Sequence, residues 1–325
     1  MITSRPPIHV VLTRGTVESV HEVDAVISEA HEASEVWGDA ARAVMPRSAI
    51  KPLQVIPLVR SGAAAAFDLT DSEIALAAAS HSAESDHVAA VHAWLDRIGL
   101  DADSLECGRS RPFSDDETDR LIALGETFEA VHNCCSGKHV GFLTEALHLG
   151  IDPRGYIERD HDVQRLITSA IEEFTGVDLS ETVAGIDGCG IPTFALPIDR
   201  LALGMARLVT PAELDADTAA AAQRVTIALA ANPWWVSGTD RPEVKLTNAA
   251  AEPVILKTGA EGVFTGALPD RQIGIALKVR DGATRAANAS IAAVLEHLGV
   301  VPAGHSTSEI TNRAGMVVGE LSVDM

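Results

Sequence analysis

Ile8-His9-Val10-Val11-Leu12-Thr13-Arg14-Gly15-Thr16-Val17-Glu18-Ser19-Val20, continued by Val23-Asp24-Ala25-Val26-Ile27, is a series of short β-branched runs interrupted at Gly15 and Glu22. β-Branched side chains suit a pleated surface, and the breaks are those of a small antiparallel meander with strands at 8–12, 16–20 and 23–27. Strand patterns return late, at 183–186, 253–257, 273–279 and 316–321. Between them the apolar spacing becomes helical. Thr70-Asp71-Ser72-Glu73 is a capping box ahead of an Ala-rich stretch. Val88, Val91, Leu95 and Ile98 share one helical face ending at Gly99; Val163, Ile167 and Ile171 share another ending at Gly176. Further helices are predicted over 211–231 and 285–298. Strands at both ends with helices between them read as α+β: an antiparallel sheet flanked by helices, with a helical insertion. No G-x-G-x-x-G follows the first strands, which argues against a doubly wound nucleotide-binding sheet. The chain reads as one catalytic unit over 1–325, with 1–60 and 250–325 mainly sheet-bearing and 61–249 mainly helical.

The 325 residues include 25 Lys+Arg against 46 Asp+Glu, a formal charge of −21. Without a run of basic residues to displace counterions, a nucleic-acid partner is not expected. No apolar stretch approaches the roughly 18 residues of a membrane span. The run 8–12 is too short for a secretory signal, so a cytoplasmic location is expected. Four cysteines, Cys107, Cys134, Cys135 and Cys189, do not make a disulfide framework in a chain of this size.

Three motifs carry chemistry. In Pro46-Arg47-Ser48-Ala49-Ile50-Lys51-Pro52, Ser48 and Lys51 form S-x-x-K, which puts hydroxyl and amine one turn apart if a helix starts near Ser48. A serine hydroxyl needs a base, and a lysine becomes one when burial or a neighbouring cation lowers its pKa. Alone the motif reads more readily as a Ser N-cap beside a surface Lys. Lys257-Thr258-Gly259 follows at the end of a predicted strand, and S-x-x-K followed by K-T-G is the signature of penicillin-binding proteins and β-lactamases. Ser80-His81-Ser82 occupies the place of the second serine in that arrangement. The third constellation joins His132-Asn133-Cys134-Cys135-Ser136-Gly137-Lys138-His139 to Gly185-Ile186-Asp187-Gly188-Cys189-Gly190. Two thiolates and a nitrogen suit tetrahedral Zn²⁺, with Lys138, His139 or His132 open as the nitrogen; the other reading is a pair of loops with small buried thiols.

These blocks, with Thr13-Arg14-Gly15, Ser80-His81-Ser82-Ala83-Glu84, Lys257 to Gly262 and Asp281-Gly282, resemble the asparaginase II family of the Rhizobium type from about residue 10 to about 320. The resemblance implies a serine β-lactamase/glutaminase-like fold and hydrolysis of L-asparagine to L-aspartate and ammonia. It implies Ser48 as nucleophile with a neutral Lys51 as its base, and Ser80 with Lys257 as a second Ser–Lys pair. It implies one zinc per subunit on Cys135, Lys138 and Cys189, with Asp187 beside it, and a homodimer. By analogy the backbone N–H groups of Ser48 and Ala260 would hold the oxyanion. Arg47, Glu84 and Glu261 are candidates for the substrate's α-amino and α-carboxylate groups. Two positions depart from the family: Cys134, where Asn is common, and Thr258. The alternatives are the same machinery acting on glutamine, a β-lactam or another amide, and a zinc-binding homologue without activity.

Overall fold

The computed structural model describes residues 2–325. The chain divides into two units. One comprises the chain up to Ala49 with Leu196–Thr210 and Lys245–Met325; the other comprises Ile50–Ala195 and Pro211–Val244. The first division falls inside the S-x-x-K stretch rather than near residue 60. Residues 196–210, placed by the sequence in the helical part, go with the sheet.

The first unit is a nine-stranded sheet: β1 Thr3–Arg5, β2 Ile8–Thr13, β3 Val17–Ser28, β4 Ala33–Trp37, β5 Ile255–Thr258, β6 Val263–Leu268, β7 Ile273–Val279, β8 Ser308–Thr311 and β9 Val317–Asp324. The order is β8-β9-β2-β3-β7-β6-β5, with β4 pairing β3 and β1. Every pairing is antiparallel except β1 with β4. The expected break at Glu22 is absent. The chain runs through it as one twelve-residue strand whose start pairs with β2 and whose end pairs with β4. β2 alternates buried and part-exposed side chains, whereas all six residues of β6 are buried.

Alternation along β7 separates two layers. Ile275, Leu277 and Val279 join Ile8, Val10, Leu12, Phe264 and the helix Thr284–His297 in one core through Ile291 and Leu295. On the opposite face Gly274 lies against the helix Ile198–Leu208: a Cβ at Gly274 would sit 2.1 Å from the Ala202 carbonyl oxygen. Burying both sheet faces requires near-continuous apolar strands, which is why β6 and the second half of β3 lose their alternation.

The second unit is helical. Its principal helices are Asp71–Ala77, Ser85–Arg97, Ser136–Leu149, Asp162–Thr175 and Ala216–Ala231, with a small hairpin of Ala184–Ile186 and Pro192–Phe194. The Thr70–Glu73 capping box forms as its sequence predicts. Gly137 lets the start of Ser136–Leu149 press on the end of Asp71–Ala77, since a Cβ there would lie 2.4 Å from the Leu76 carbonyl oxygen. That close approach brings Cys135 beside the residues that follow Ala77. Among the described residues no helix is long and apolar enough to cross a membrane.

Candidate active site

In the sheet unit, Ser48 lies on a 3₁₀ turn, Arg47–Ile50, that precedes the helix Lys51–Gln54. The S-x-x-K motif is therefore a turn running into a helix, and Ser48 does not start the helix itself. Arg47, immediately before the serine, has φ +52°, the left-handed region that non-glycine residues enter at a cost. Two contacts from the sheet fix this turn. Thr265 Oγ1 donates to the Ala49 carbonyl at 2.7 Å. Gly259 lies so close that a Cβ would sit 2.7 Å from the Pro46 carbonyl oxygen. Thr265 is paired in register with Lys257, so Lys257, fully buried, shares the sheet face that carries the Ser48 turn. Lys257 Nζ donates to the Thr258 carbonyl at 2.8 Å. Ala260 and Glu261 follow as exposed residues, Glu261 with φ +58°.

In the helical unit, Lys51 is 1% exposed and its Nζ donates to the Ala79 carbonyl, to Ser80 Oγ at 3.0 Å and to Cys135 Sγ at 3.1 Å. Lys51 therefore ties the Ser80 loop to the start of the helix Ser136–Leu149. The loop is built on His81. Ser136 Oγ donates to the Val131 carbonyl, so its contact with His81 Nε2 at 2.9 Å takes the imidazole proton. His81 Nδ1 is then the acceptor for the Ala83 N–H at 3.1 Å, and Ala83 is left-handed at φ +56°. Burial holds the His81 pKa well below the usual value, which fits this neutral tautomer. The His81 N–H also donates to the Cys134 carbonyl, and the Ser80 N–H to Val236. Sequence reasoning singled out Ser80-His81-Ser82 for its second serine and missed that the histidine organises the loop.

The same unit gathers the thiols. Lys138 Nζ lies 3.1 Å from Cys189 Sγ, and Cys134 Sγ lies 3.8 Å from Cys135 Sγ. Cys135, Lys138 and Cys189 are each at most 5% exposed. Hydrogen bonds from Cys134 and Cys189 draw the Cys135 thiol well below its usual pKa, burial opposes them, and Lys51 and Lys138 add to the lowering. Cys189, hydrogen-bonded to Cys135 and buried, is held high as the thiol. Burial disfavours a charged Lys138, yet the cysteine sulfurs and Asp187 together hold its pKa above the ordinary range. Asp187 sits in a turn closed by the Gly188 N–H on its carboxylate at 2.6 Å and by Gly190 at φ +92°. Glu84 accepts from Thr239 through both its N–H, at 2.6 Å, and its hydroxyl, at 2.7 Å. Of the nitrogens left open, His132 Nδ1 accepts from the Glu129 N–H and His139 Nδ1 meets Tyr156 OH at 2.7 Å. Among the described residues no three His, Cys, Asp or Glu side chains converge as a metal cage. The set at hand is two thiols and an amine, buried and mutually close; once Lys138 and Cys189 give up their protons to the incoming ion, it fits a soft four-coordinate cation such as Zn²⁺.

The profile of the L-asparaginase II family matches residues 10–323. No curated protein matches the chain. Among solved structures, Mglu in its L-glutamate-binding form in 4.3 M NaCl resembles it with a TM-score of 0.50 and 13% identity. The alignment covers 87% of this chain and 62% of that one, so the chain spans less than two thirds of Mglu. A β-lactamase from Mycobacterium bovis (TM-score 0.40, 13% identity, 85% of this chain and 94% of that one) is also similar. So is a Bacillus subtilis glutaminase in covalent complex with 5-oxo-L-norleucine (TM-score 0.41, 11% identity, 86% and 89%).

Proposed function

The chain belongs to the L-asparaginase II family, and from that premise we propose that it is an amidohydrolase that converts L-asparagine to L-aspartate and ammonia through an acyl-enzyme on Ser48. The observation that carries the reading is the buried Lys51 amine, hydrogen-bonded to Ser80 and Cys135 in a cluster of ionisable groups. The Ser48 turn, held on the Lys257 face by Thr265 and Gly259, supports it from the sheet side.

In this reading Ser48 Oγ attacks the side-chain amide carbon and Lys51 accepts its proton. The oxyanion is held by the backbone N–H groups of Ser48 and Ala260, donors aimed at charge that develops only in the transition state. The Ser80–Lys257 pair delivers a proton to the departing ammonia. Water then attacks the ester and the proton returns through Lys51, releasing aspartate. Cys135, Lys138 and Cys189 would hold zinc, which when bound supplies a positive charge for orienting the polar groups of the substrate. Asp187, within electrostatic reach of Lys138, is assigned to the same orienting set. The active form is proposed to be a homodimer, which light scattering after gel filtration tests.

The test is ammonia release from L-asparagine and L-glutamine in parallel, with zinc added and after chelation, alongside metal analysis of the purified protein. Release from asparagine alone, lost in Ser48→Ala with an unchanged fold, is the expected result. Equal release from glutamine overturns the substrate assignment. Full activity in Ser48→Ala overturns the mechanism.

A further inference from the structure

Cys134 is the one of the four cysteines that is partly exposed; Cys107, Cys135 and Cys189 are buried. Its sulfur lies 3.8 Å from that of its neighbour Cys135, close to van der Waals contact. Cys135 in turn is the sulfur in contact with Lys51, 3.1 Å from its Nζ. The partly exposed Cys134 thus stands directly against a thiol in the polar cluster. We infer that Cys134 and Cys135 are an oxidation site at which a peroxide closes a vicinal disulfide and withdraws Cys135 from Lys51.

The chemistry balances in two steps. The Cys134 sulfur attacks hydrogen peroxide, the O–O bond breaks, and Cys134 becomes a sulfenic acid with release of one water. The Cys135 sulfur then attacks the Cys134 sulfur, the S–S bond forms, the S–O bond breaks, and the hydroxyl leaves as a second water with the remaining thiol proton. Two thiols lose two electrons and peroxide gains them. Closure has to shorten the sulfur separation from 3.8 Å to about 2.05 Å, which side-chain rotation at Cys134 provides in part. The backbone resists the rest. Adjacent Cα atoms are about 3.8 Å apart across a trans peptide, below the roughly 4.4 Å minimum usual for a disulfide. The bond is therefore strained and readily reduced, a property of reversible disulfides rather than structural ones. Cys189 is the competing partner for Cys135, but it is buried and its sulfur is engaged by Lys138 at 3.1 Å.

Loss of activity on oxidation rests on the proposed function, whereas formation of the bond does not. The full-length protein is treated with hydrogen peroxide, alkylated and cleaved with trypsin. Cys134 and Cys135 fall together on the peptide 121–138, while Cys107 and Cys189 fall on others. The expected product is that peptide about 2 Da light and resistant to alkylation, restored by a dithiol reductant, with amidase activity falling and returning in parallel. Cys134→Ser is expected to keep basal activity and to show neither the light peptide nor the dithiol-reversible loss. A light peptide in a protein inactive on both amides would still establish the disulfide and would count against the proposed function alone. A cross-link joining 121–138 to the Cys189 peptide, or no light peptide once the thiols are consumed, overturns the inference.

Discussion

Lys51 Nζ donates to Ser80 Oγ across 3.0 Å, and the same nitrogen lies 3.1 Å from Cys135 Sγ. One buried amine therefore holds both Ser80 and Cys135. Lys51→Met and Ser80→Ala are each expected to lower kcat by about 10²- to 10⁴-fold, the range for a positioned acid–base group. Because the two side chains act as a unit, the double variant should be no slower than the worse single variant. Ammonia-release kinetics on all three variants, with melting curves to verify the fold, check this.

Gly259 has no room for a side chain, because a Cβ would meet the Pro46 carbonyl oxygen at 2.7 Å and Ala49 at 3.1 Å. Gly259→Ala is expected to cost about 1–3 kcal/mol of stability by overpacking. It should also displace the turn that carries Ser48, so activity should fall well below what the lost stability accounts for. Denaturant titration and kcat measured on the same preparation separate the two effects.

Asp24 is fully buried on β3 and is held by Arg42 at 2.5 Å, Arg280 at 2.7 and 3.0 Å and the Asp39 N–H at 2.9 Å. Burial alone would raise its pKa, but Arg280, the Asp39 N–H and Arg42 outweigh burial and hold it below the usual value. Its contribution is thus present above the unfolded-state pKa and is lost as pH falls through the lower folded-state value. Asp24→Asn should destabilise by about 3 kcal/mol near neutrality, the lower end of the range for breaking a buried pair, since both guanidinium groups are about a third exposed. The gap between variant and parent should close in acid, which melting temperatures from pH 7 to pH 3 read directly.

Glu145 shows the opposite sign. It is 1% exposed in the helix Ser136–Leu149, and its Oε1 has no hydrogen-bond partner among the described residues. Burial pushes its pKa up to about 8, with the Arg60 charge opposing only in part. The folded state therefore retains a proton that the unfolded chain releases above about pH 4.5. Stability is full below that value and declines by about 1.4 kcal/mol per pH unit until the folded-state pKa is reached. Glu145→Gln removes the titration, so its melting temperature relative to the parent should rise steadily from pH 5 to pH 8.

Where the sequence was readable, the reason is local. The Thr70–Glu73 box, the helix closed by Gly176 and the strand expected at 8–12 depend on neighbours within a few residues, and all are present. The α+β class followed from the order of those elements. β6 went unread because Val263-Phe264-Thr265-Gly266-Ala267-Leu268 is buried on both faces and shows no alternation. The helix Ile198–Leu208 went unread although its apolar face is pronounced; no N-cap side chain marks its start, which follows Pro197. At the candidate site, S-x-x-K and K-T-G stand out by residue type alone. The role of His81 does not, because a histidine between two serines has no periodicity, and its partners, Ser136 and the Cys134 carbonyl, lie more than fifty residues away.

The sheet also sets a schedule for the chain's manufacture. β3 reaches the ribosome exit long before β7, its neighbour in the sheet, since Ile27 pairs with Ile275. At about 5–20 residues per second the first strands wait roughly 10–50 s for that partner, while the whole segment 50–195 emerges between them. During the wait Val23, Ala25 and Ile27 have β2 and β4 to pair with but not β7, so the nascent chain carries a sticky, unpaired edge. Any product that stops short of β7 keeps that edge for good, which makes truncated translation products of this protein substrates for chaperones and proteases rather than partial enzymes.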